Sequence, residues 1–263
     1  LGFKGIKMHP PYQEFVIDGP EAFEVYEAAQ EKGLFIAESH KLVEELLGVM
    51  ECTLVVATEE WVNKNSRSVK NIRTEIVSET VLKQISLLQT PQDVLAVFRI
   101  PNHQSSIEIA EKELVLALDN IQDPGNLGTI VRIADWFGIK NIFCSIGTAD
   151  IYNPKSIQAT MGAIARVKLH YMDLQKELGK LKKKIPVYGT LLNGKDIYKS
   201  VLTENGIIIM GNEGNGISKE VCSHVTDPLY IPSYPADTPT SESLNVAVAT
   251  AITCAEFRRR TYL

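Results

Sequence analysis

The second half of the chain alternates short apolar runs with amphipathic stretches. Leu114–Leu118, Asn141–Ser145, Val167–Tyr171, Val187–Leu191, Ile207–Met210 and Leu229–Ile231 read as strands. Between them, Leu127–Phe137, Pro154–Ala165, Leu174–Leu181, Lys219–Val225 and Leu244–Arg260 carry helical spacing. Strands that are apolar on both faces and alternate with helices predict right-handed crossovers and a doubly wound parallel sheet.

The first half alternates too, on a smaller scale. Gly19–Lys32 predicts a helix, with Phe23, Tyr26 and Ala29–Gln30 on one face and Gly33 as its stop. Leu34–Ala37, Leu54–Ala57, Glu75–Val77 and Val94–Phe98 predict strands. Lys41–Leu47, ended by Gly48, and Glu79–Leu87 predict helices, while Trp61–Ile72 fits a helix or an extended loop. This order suggests a small three-layer α/β module. The polar connection Pro101–Ser106 is the expected boundary between a unit at 1–106 and a unit at 107–263.

A length of 263 residues suits two such units and a core that needs no staples. The four cysteines, Cys52, Cys144, Cys222 and Cys254, have no CxxC spacing, so reduced thiols in a cytoplasmic protein are expected and a metal site is not. No apolar run is long enough to span a bilayer, and Leu1–Glu14 lacks a signal-peptide pattern. The net charge of −5 is uneven. Residues 1–113 hold 11 Lys and Arg against 18 Asp and Glu, a net of −7, so residues 114–263 carry +2. One basic stretch interrupts the acidic half: Lys64, Arg67, Lys70 and Arg73 recur every third residue, with no acid between Trp61 and Thr74. Such a group fits a phosphate backbone about as well as it fits a solvated face.

Several chemistries lack their signatures. There is no G-x-G-x-x-G after the first strand of the second unit, no phosphate-binding P-loop and no G-x-S-x-G elbow, and the five histidines are scattered. Three polar loops that follow strands remain. The first, Asp119 to Arg132, has a Pro124-Gly125-Asn126 turn, with Asn126 or Thr129 as candidate cap and Arg132 placed to grip a phosphate or to pair with Asp135. The second is Gly211-Asn212-Glu213-Gly214-Asn215-Gly216. The third runs from Ile231-Pro232 to Ser243-Leu244-Asn245, where a helix start offers free N–H groups. Loops at the carboxyl ends of one parallel sheet form a ligand site.

Together the loops resemble the SpoU (TrmH) branch of the SPOUT methyltransferases. Asn126-Leu127-Gly128-Thr129-Ile130-Val131-Arg132 matches that family's N-x-G-x-x-x-R. Gly211 to Gly216 matches G-x-E-G-x-G, and Ile231-Pro232 with Ser243-Leu244-Asn245-Val246 matches its third motif. The interval Ser233–Glu242 is longer than the family's. The first unit resembles the ribosomal-protein-like RNA-binding domain these enzymes carry, through Gly33-Leu34-Phe35-Ile36-Ala37-Glu38 and Gln89-Thr90-Pro91-Gln92.

The resemblance implies methyl transfer from S-adenosylmethionine to a ribose 2′-hydroxyl of RNA, with ribosomal RNA as the first substrate and transfer RNA as the alternative. A non-catalytic RNA-binding protein of this fold is the alternative class. It also implies a C-terminal trefoil knot and a homodimer. Asn126, Arg132, Glu213, Ser243 and Asn245 are the implied catalytic set. Thr190, Leu191, Gly211, Ile231 and Leu244 are the implied cofactor contacts.

Overall fold

The computed structural model describes residue 26 and residues 28–103, 105–181, 184–235, 241 and 243–261. Most of the predicted first helix, most of Ser233–Glu242 and residues 182–183 lie outside these. In the first unit, residues 28–31 are helical and Gly33 turns the chain with φ +69°. There follow β1 (Leu34–Glu38), α1 (His40–Leu46), β2 (Cys52–Ala57), α2 (Glu59–Lys64), β3 (Thr74–Ile76), α3 (Glu79–Ile85) and β4 (Val94–Arg99). The sheet order is β1-β4-β2-β3, with β2 and β3 parallel and β4 antiparallel to both its neighbours.

Local chemistry sets these boundaries. Gly48, at φ +84°, ends the turn after α1. Thr58 and Ser78 cap α2 and α3 by accepting the N–H groups of Trp61 and Val81. α2 stops at Lys64, where the Asn65 amide donates back to the Trp61 carbonyl at 3.1 Å. The stretch Trp61–Ile72 is therefore one short helix followed by turns, and the four basic residues do not share a helical face.

The second unit comprises β5 (Leu114–Asp119), α4 (Pro124–Trp136), β6 (Asn141–Ser145), α5 (Pro154–Thr160), β7 (Lys168–Met172), α6 (Leu174–Leu178), β8 (Val187–Asp196), β9 (Gly206–Gly211), α7 (Lys219–Cys222), β10 (Asp227–Tyr230) and α8 (Val246–Thr261). All six strands are parallel, in the order β10-β8-β9-β5-β6-β7. The chain winds outward from β5 to β7 and then crosses to β8 and β9 on the other side. The winding reverses between β5 and β9, which opens a crevice at their carboxyl ends.

β8 is longer than its apolar run predicts. Its ladder with β10 jumps from Gly189↔Pro228 to Lys195↔Leu229, so Thr190–Gly194 have no partner on β10. α4 and α5 pack at unusually close range: a Cβ on Gly128 would sit 2.4 Å from the Ser156 carbonyl oxygen and 2.5 Å from the Ala159 Cβ. α8 lies against α4, and the Arg258 guanidinium donates to the Phe137 carbonyl at 2.7 Å, closing the end of α4. No described helix is long and apolar enough to cross a membrane.

One face of the small sheet does not have a core of its own. Phe35, Val55, Trp61 and Phe98 share a continuous core with Leu116, Ile130, Ile157 and Met210 of the large unit. The Phe35 and Tyr152 rings lie 5.1 Å apart across this junction. Polar contacts rim it. Gln158 donates to the Glu38 carbonyl at 2.8 Å, Gln30 donates to Asp150 at 2.8 Å, and Arg166 spans Glu45 and Asp135 at 3.4 and 2.8 Å.

Candidate active site

The three polar loops converge on the crevice. β5 ends at Asp119, and Asn120 reverses the chain in the left-handed region at φ +57°. Asp123, not Asn126 or Thr129, caps α4: its carboxylate accepts the Asn126 N–H at 2.7 Å, with Pro124 in the first turn. Thr129 instead donates to the Gly125 carbonyl at 2.8 Å. Because Asp123 does the capping, the Asn126 side chain is released toward the other loops.

The second loop is a turn that only glycine allows at its base. A Cβ on Gly211 would meet the Gly216 carbonyl carbon and the Ile217 nitrogen at 2.3 Å. Asn212 and Gly216 exchange backbone hydrogen bonds of 2.8 and 2.9 Å, leaving Glu213 exposed at the tip. The third loop ends in a helix cap. Asn245 accepts the N–H groups of Ala247 and Val248 through Oδ1, at 2.9 and 3.3 Å.

That cap fixes the direction of a side-chain relay. With Oδ1 committed to α8, the Asn245 amide nitrogen donates to Asn126 Oδ1 at 3.0 Å. The Asn126 nitrogen must then donate to Glu213 Oε1, at 2.7 Å. Three residues separated by 87 and 119 positions thus form one hydrogen-bonded chain. It ends on the Glu213 side chain, whose Oε1 accepts the last of these bonds.

Arg132 is exposed on α4, six residues after Asn126. It does not pair with Asp135, because the Arg166 guanidinium grips both oxygens of that carboxylate at 2.8–3.0 Å. Nor does Glu213 hold Arg132 within this chain, since its contact is to Asn126. Among the described residues no hydrogen bond or ion pair occupies Arg132. Ser243 is exposed two residues before Asn245.

The implied cofactor contacts surround the same loops. Thr190 donates to the Ile209 carbonyl at 3.0 Å, which sets it beside the end of β9 and Gly211. Leu191 lies in the segment of β8 that leaves the ladder with β10 and is half-buried. Ile231 is half-buried on the core after β10, and Leu244, 47% exposed, precedes the Asn245 cap. Apolar side chains beside free backbone suit a flat heteroaromatic group carrying a charged tail.

The basic residues lie elsewhere. Lys64, Arg67 and Lys70 are exposed on α2 and the turns after it, with no ion pair among the described residues, whereas Arg73 is bound to Glu75 at 2.9 Å. Among the described residues no group of three or more His, Cys, Asp or Glu side chains could hold a metal ion. All four cysteines are free thiols, and burial pushes Cys254 up to about 12 and Cys52 up to about 11, so neither is poised as a nucleophile.

Sequence reasoning missed Asp119, Asn120, Asp123 and Asn212, all of which hold the loops in place. Asp123 was recoverable from the rule that an Asp before Pro starts a helix. Asn212 had a weaker signal, an Asn in a glycine-rich turn.

Comparison with known proteins agrees with this geometry. Residues 113–255 match the SpoU rRNA Methylase family, and residues 28–96 match the MRM3-like substrate binding domain. The chain is 32% identical over 220 residues to the 23S rRNA (guanosine(2553)-2′-O)-methyltransferase RlmP of Bacillus subtilis, covering 83% of this chain and 86% of that protein. A solved TrmH-family structure from Porphyromonas gingivalis superposes with a TM-score of 0.80 at 38% identity, covering 91% of this chain and 96% of that one. An AdoMet-bound rRNA methyltransferase from Sinorhizobium meliloti superposes with a TM-score of 0.77 at 26% identity, covering 92% and 95%. With its loops, its sheet and most of its length in common with these proteins, the chain belongs to the SpoU rRNA methylase family.

Proposed function

We propose that this protein is an RNA 2′-O-methyltransferase that uses S-adenosylmethionine and acts on ribosomal RNA. The observation that carries this reading is the relay Asn245–Asn126–Glu213 at the reversal of the sheet, with Arg132, which has no partner among the described residues, on the same helix as Asn126. The relatives named above are methyltransferases, and one neighbouring structure holds AdoMet.

The residues fit such a cofactor: Leu191, Ile231 and Leu244 offer apolar surface, and Thr190 and Gly211 bring backbone to the same strand ends. The cofactor supplies an electrophilic methyl group on a sulfonium. This chain's residues align the acceptor hydroxyl and hold it close to attack geometry for an in-line displacement. Arg132 binds the phosphate next to the acceptor ribose and stabilises the oxyanion as it forms. A guanidinium, with a pKa above about 12, is a poor base and a good clamp. Asn126 and Asn245 hold the Glu213 side chain in place, and Ser243 positions the ribose. Lys64, Arg67 and Lys70 hold RNA phosphates away from the site.

Three further features belong to this reading. Residues 1–106 form the RNA-binding unit and 107–263 the catalytic one. The chain is a homodimer: Thr129, Arg132 and Trp136 share a face of α4, Trp136 is 84% exposed, and Val248 on α8 is 49% exposed. The C-terminal segment forms a trefoil knot, a reading supported by the return of the chain from edge strand β10 to Asn126 and by the packing of α8 on α4. The enzyme works in the cytoplasm, where its thiols stay reduced.

The test is transfer of radiolabelled methyl groups from S-adenosylmethionine to ribosomal RNA and, separately, to transfer RNA, followed by mapping of 2′-O-methylated nucleotides. Ribosomal RNA is expected to carry the label. Arg132→Ala should keep cofactor affinity and lose turnover by about 100-fold or more. Unchanged turnover would remove Arg132 from the mechanism, and no label in either RNA would remove the function.

A further inference from the structure

Glu213 can serve the proposed site only if its turn holds one position against Asn126. Residues 213–216 are exposed, and a Cβ on Gly214 would meet only Asn212 Oδ1, at 3.6 Å, so apolar packing does not hold the tip. Polar contacts do, and most of them pass through Asn212. Its Oδ1 accepts the N–H groups of Gly214 and Asn215 at 2.9 and 3.1 Å. Its Nδ2 donates to the backbone carbonyl of Asn120 at 2.8 Å.

Asn120 is a firm anchor. Its N–H donates to Ser145 Oγ at 2.8 Å, and its side chain donates to Asp119 at 2.9 Å. Asp119 is 2% exposed, and its other oxygen takes the Ser218 N–H at 2.7 Å, beyond the far end of the same turn. A hydrogen-bonded band thus crosses the ends of β6, β5 and β9, and Asn212 is its only side-chain grip on the tip of the turn among the described residues. Two acceptor bonds and one donor bond on one side chain leave the turn no second arrangement that keeps all three.

We infer that Asn212 is a positioning residue for the methyl transfer: it holds the turn so that Glu213 meets Asn126 before any ligand arrives. This inference rests on the function proposed above and adds a residue to it. Asn212 touches no reacting atom and acts through Glu213. A purely structural role would lower stability without depending on what residue 213 is.

The experiment compares single-turnover methylation, RNA affinity and thermal stability in full-length wild type, Asn212→Ala, Asn212→Asp, Glu213→Gln and the double variant Asn212→Ala with Glu213→Gln. Asn212→Asp keeps both acceptor contacts and loses the donor, so it stays informative if Asn212→Ala fails to fold. Losing one to three net hydrogen bonds predicts a rate lowered about 10- to 100-fold in Asn212→Ala, with a loss also in Asn212→Asp, whose second oxygen would face the Asn120 carbonyl in place of a donor, and RNA affinity unchanged. The double variant should be no slower than Glu213→Gln. Wild-type rates in both Asn212 variants, or single effects that multiply in the double variant, would overturn the inference. A wild type without methylation removes the proposed function and this inference with it. A methylating wild type beside unimpaired Asn212 variants removes the inference alone.

Discussion

Gly128 stands in the interior of α4, where helix propensity and tertiary packing predict opposite signs for the same substitution. Replacing an interior helix glycine with alanine ordinarily stabilises by about 1 kcal/mol, through propensity and a smaller unfolded-state entropy. Here the added methyl would lie 2.4 Å from the Ser156 carbonyl oxygen and 2.5 Å from the Ala159 Cβ, both rigid parts of α5. Relief requires α4 and α5 to separate by about 1 Å, in an interior packed as densely as an organic crystal. Overpacking of this kind costs about 1–3 kcal/mol, at the upper end when the obstacle is backbone. α5 cannot yield freely, since Ile157 is fully buried and Gln158 is tied to the Glu38 carbonyl. Gly128→Ala should therefore destabilise the protein by about 2 kcal/mol, a fall in melting temperature of about 4–8 °C for a chain of this size. Scanning calorimetry of the two proteins at one concentration measures this. A melting temperature equal to or above that of the wild type would show that the helices part at no cost, and the account of the motif glycine as a packing residue would be wrong.

Ser39 carries the opposite signature: it adopts φ 92° and ψ 146°, a region close to glycine-only, and its side chain makes no cap bond to α1. Ser39→Gly should raise stability by about 1 kcal/mol in denaturant titration, and a decrease would reject the strain argument. Asn126→Asp places a second carboxylate where the amide now donates to Glu213 at 2.7 Å. The pair then shares a proton with a folded-state pKa above the unfolded one, so the variant matches wild-type stability at low pH and loses about 1 kcal/mol as pH rises through that value. Equal stability of the two proteins at every pH would contradict the relay. Replacing Lys64, Arg67 and Lys70 together with Gln should weaken RNA binding and flatten the log–log salt dependence by about 2 units, while an unchanged slope would free those residues from any phosphate contact.

Much of the fold is legible in the pattern of apolar runs. Val115, Leu116, Ala117 and Leu118 form a strand that can only sit between two covered faces, and the structure buries all four. The convergence of Asn126, Glu213 and Asn245 follows from strand-end loops on one parallel sheet. Three other features depend on particular contacts, two of them between residues distant in sequence. Arg132 has no partner among the described residues because Arg166, from beyond α5, takes Asp135. β8 extends past its apolar run because Gly194 packs on the backbone of Leu229, where a Cβ would come within 2.4 Å. The basic stripe fails as a helical face because Asn65 closes α2 early. Side-chain competition for one carboxylate, or for one carbonyl, leaves no periodic trace in a sequence.

The shared interior beneath Phe35 and Tyr152 means that the small sheet cannot swing on a tether. The spacing between the two halves is built into packed side chains, and the Pro101–Ser106 connector does not set it. The molecule is a calliper with its jaws locked: on the function proposed above, an RNA held at Lys64, Arg67 and Lys70 would present to Arg132 whichever ribose lies one fixed span away. Choice of nucleotide then becomes a matter of length as much as of base identity, and it would survive changes in the connector that a flexible arm would not.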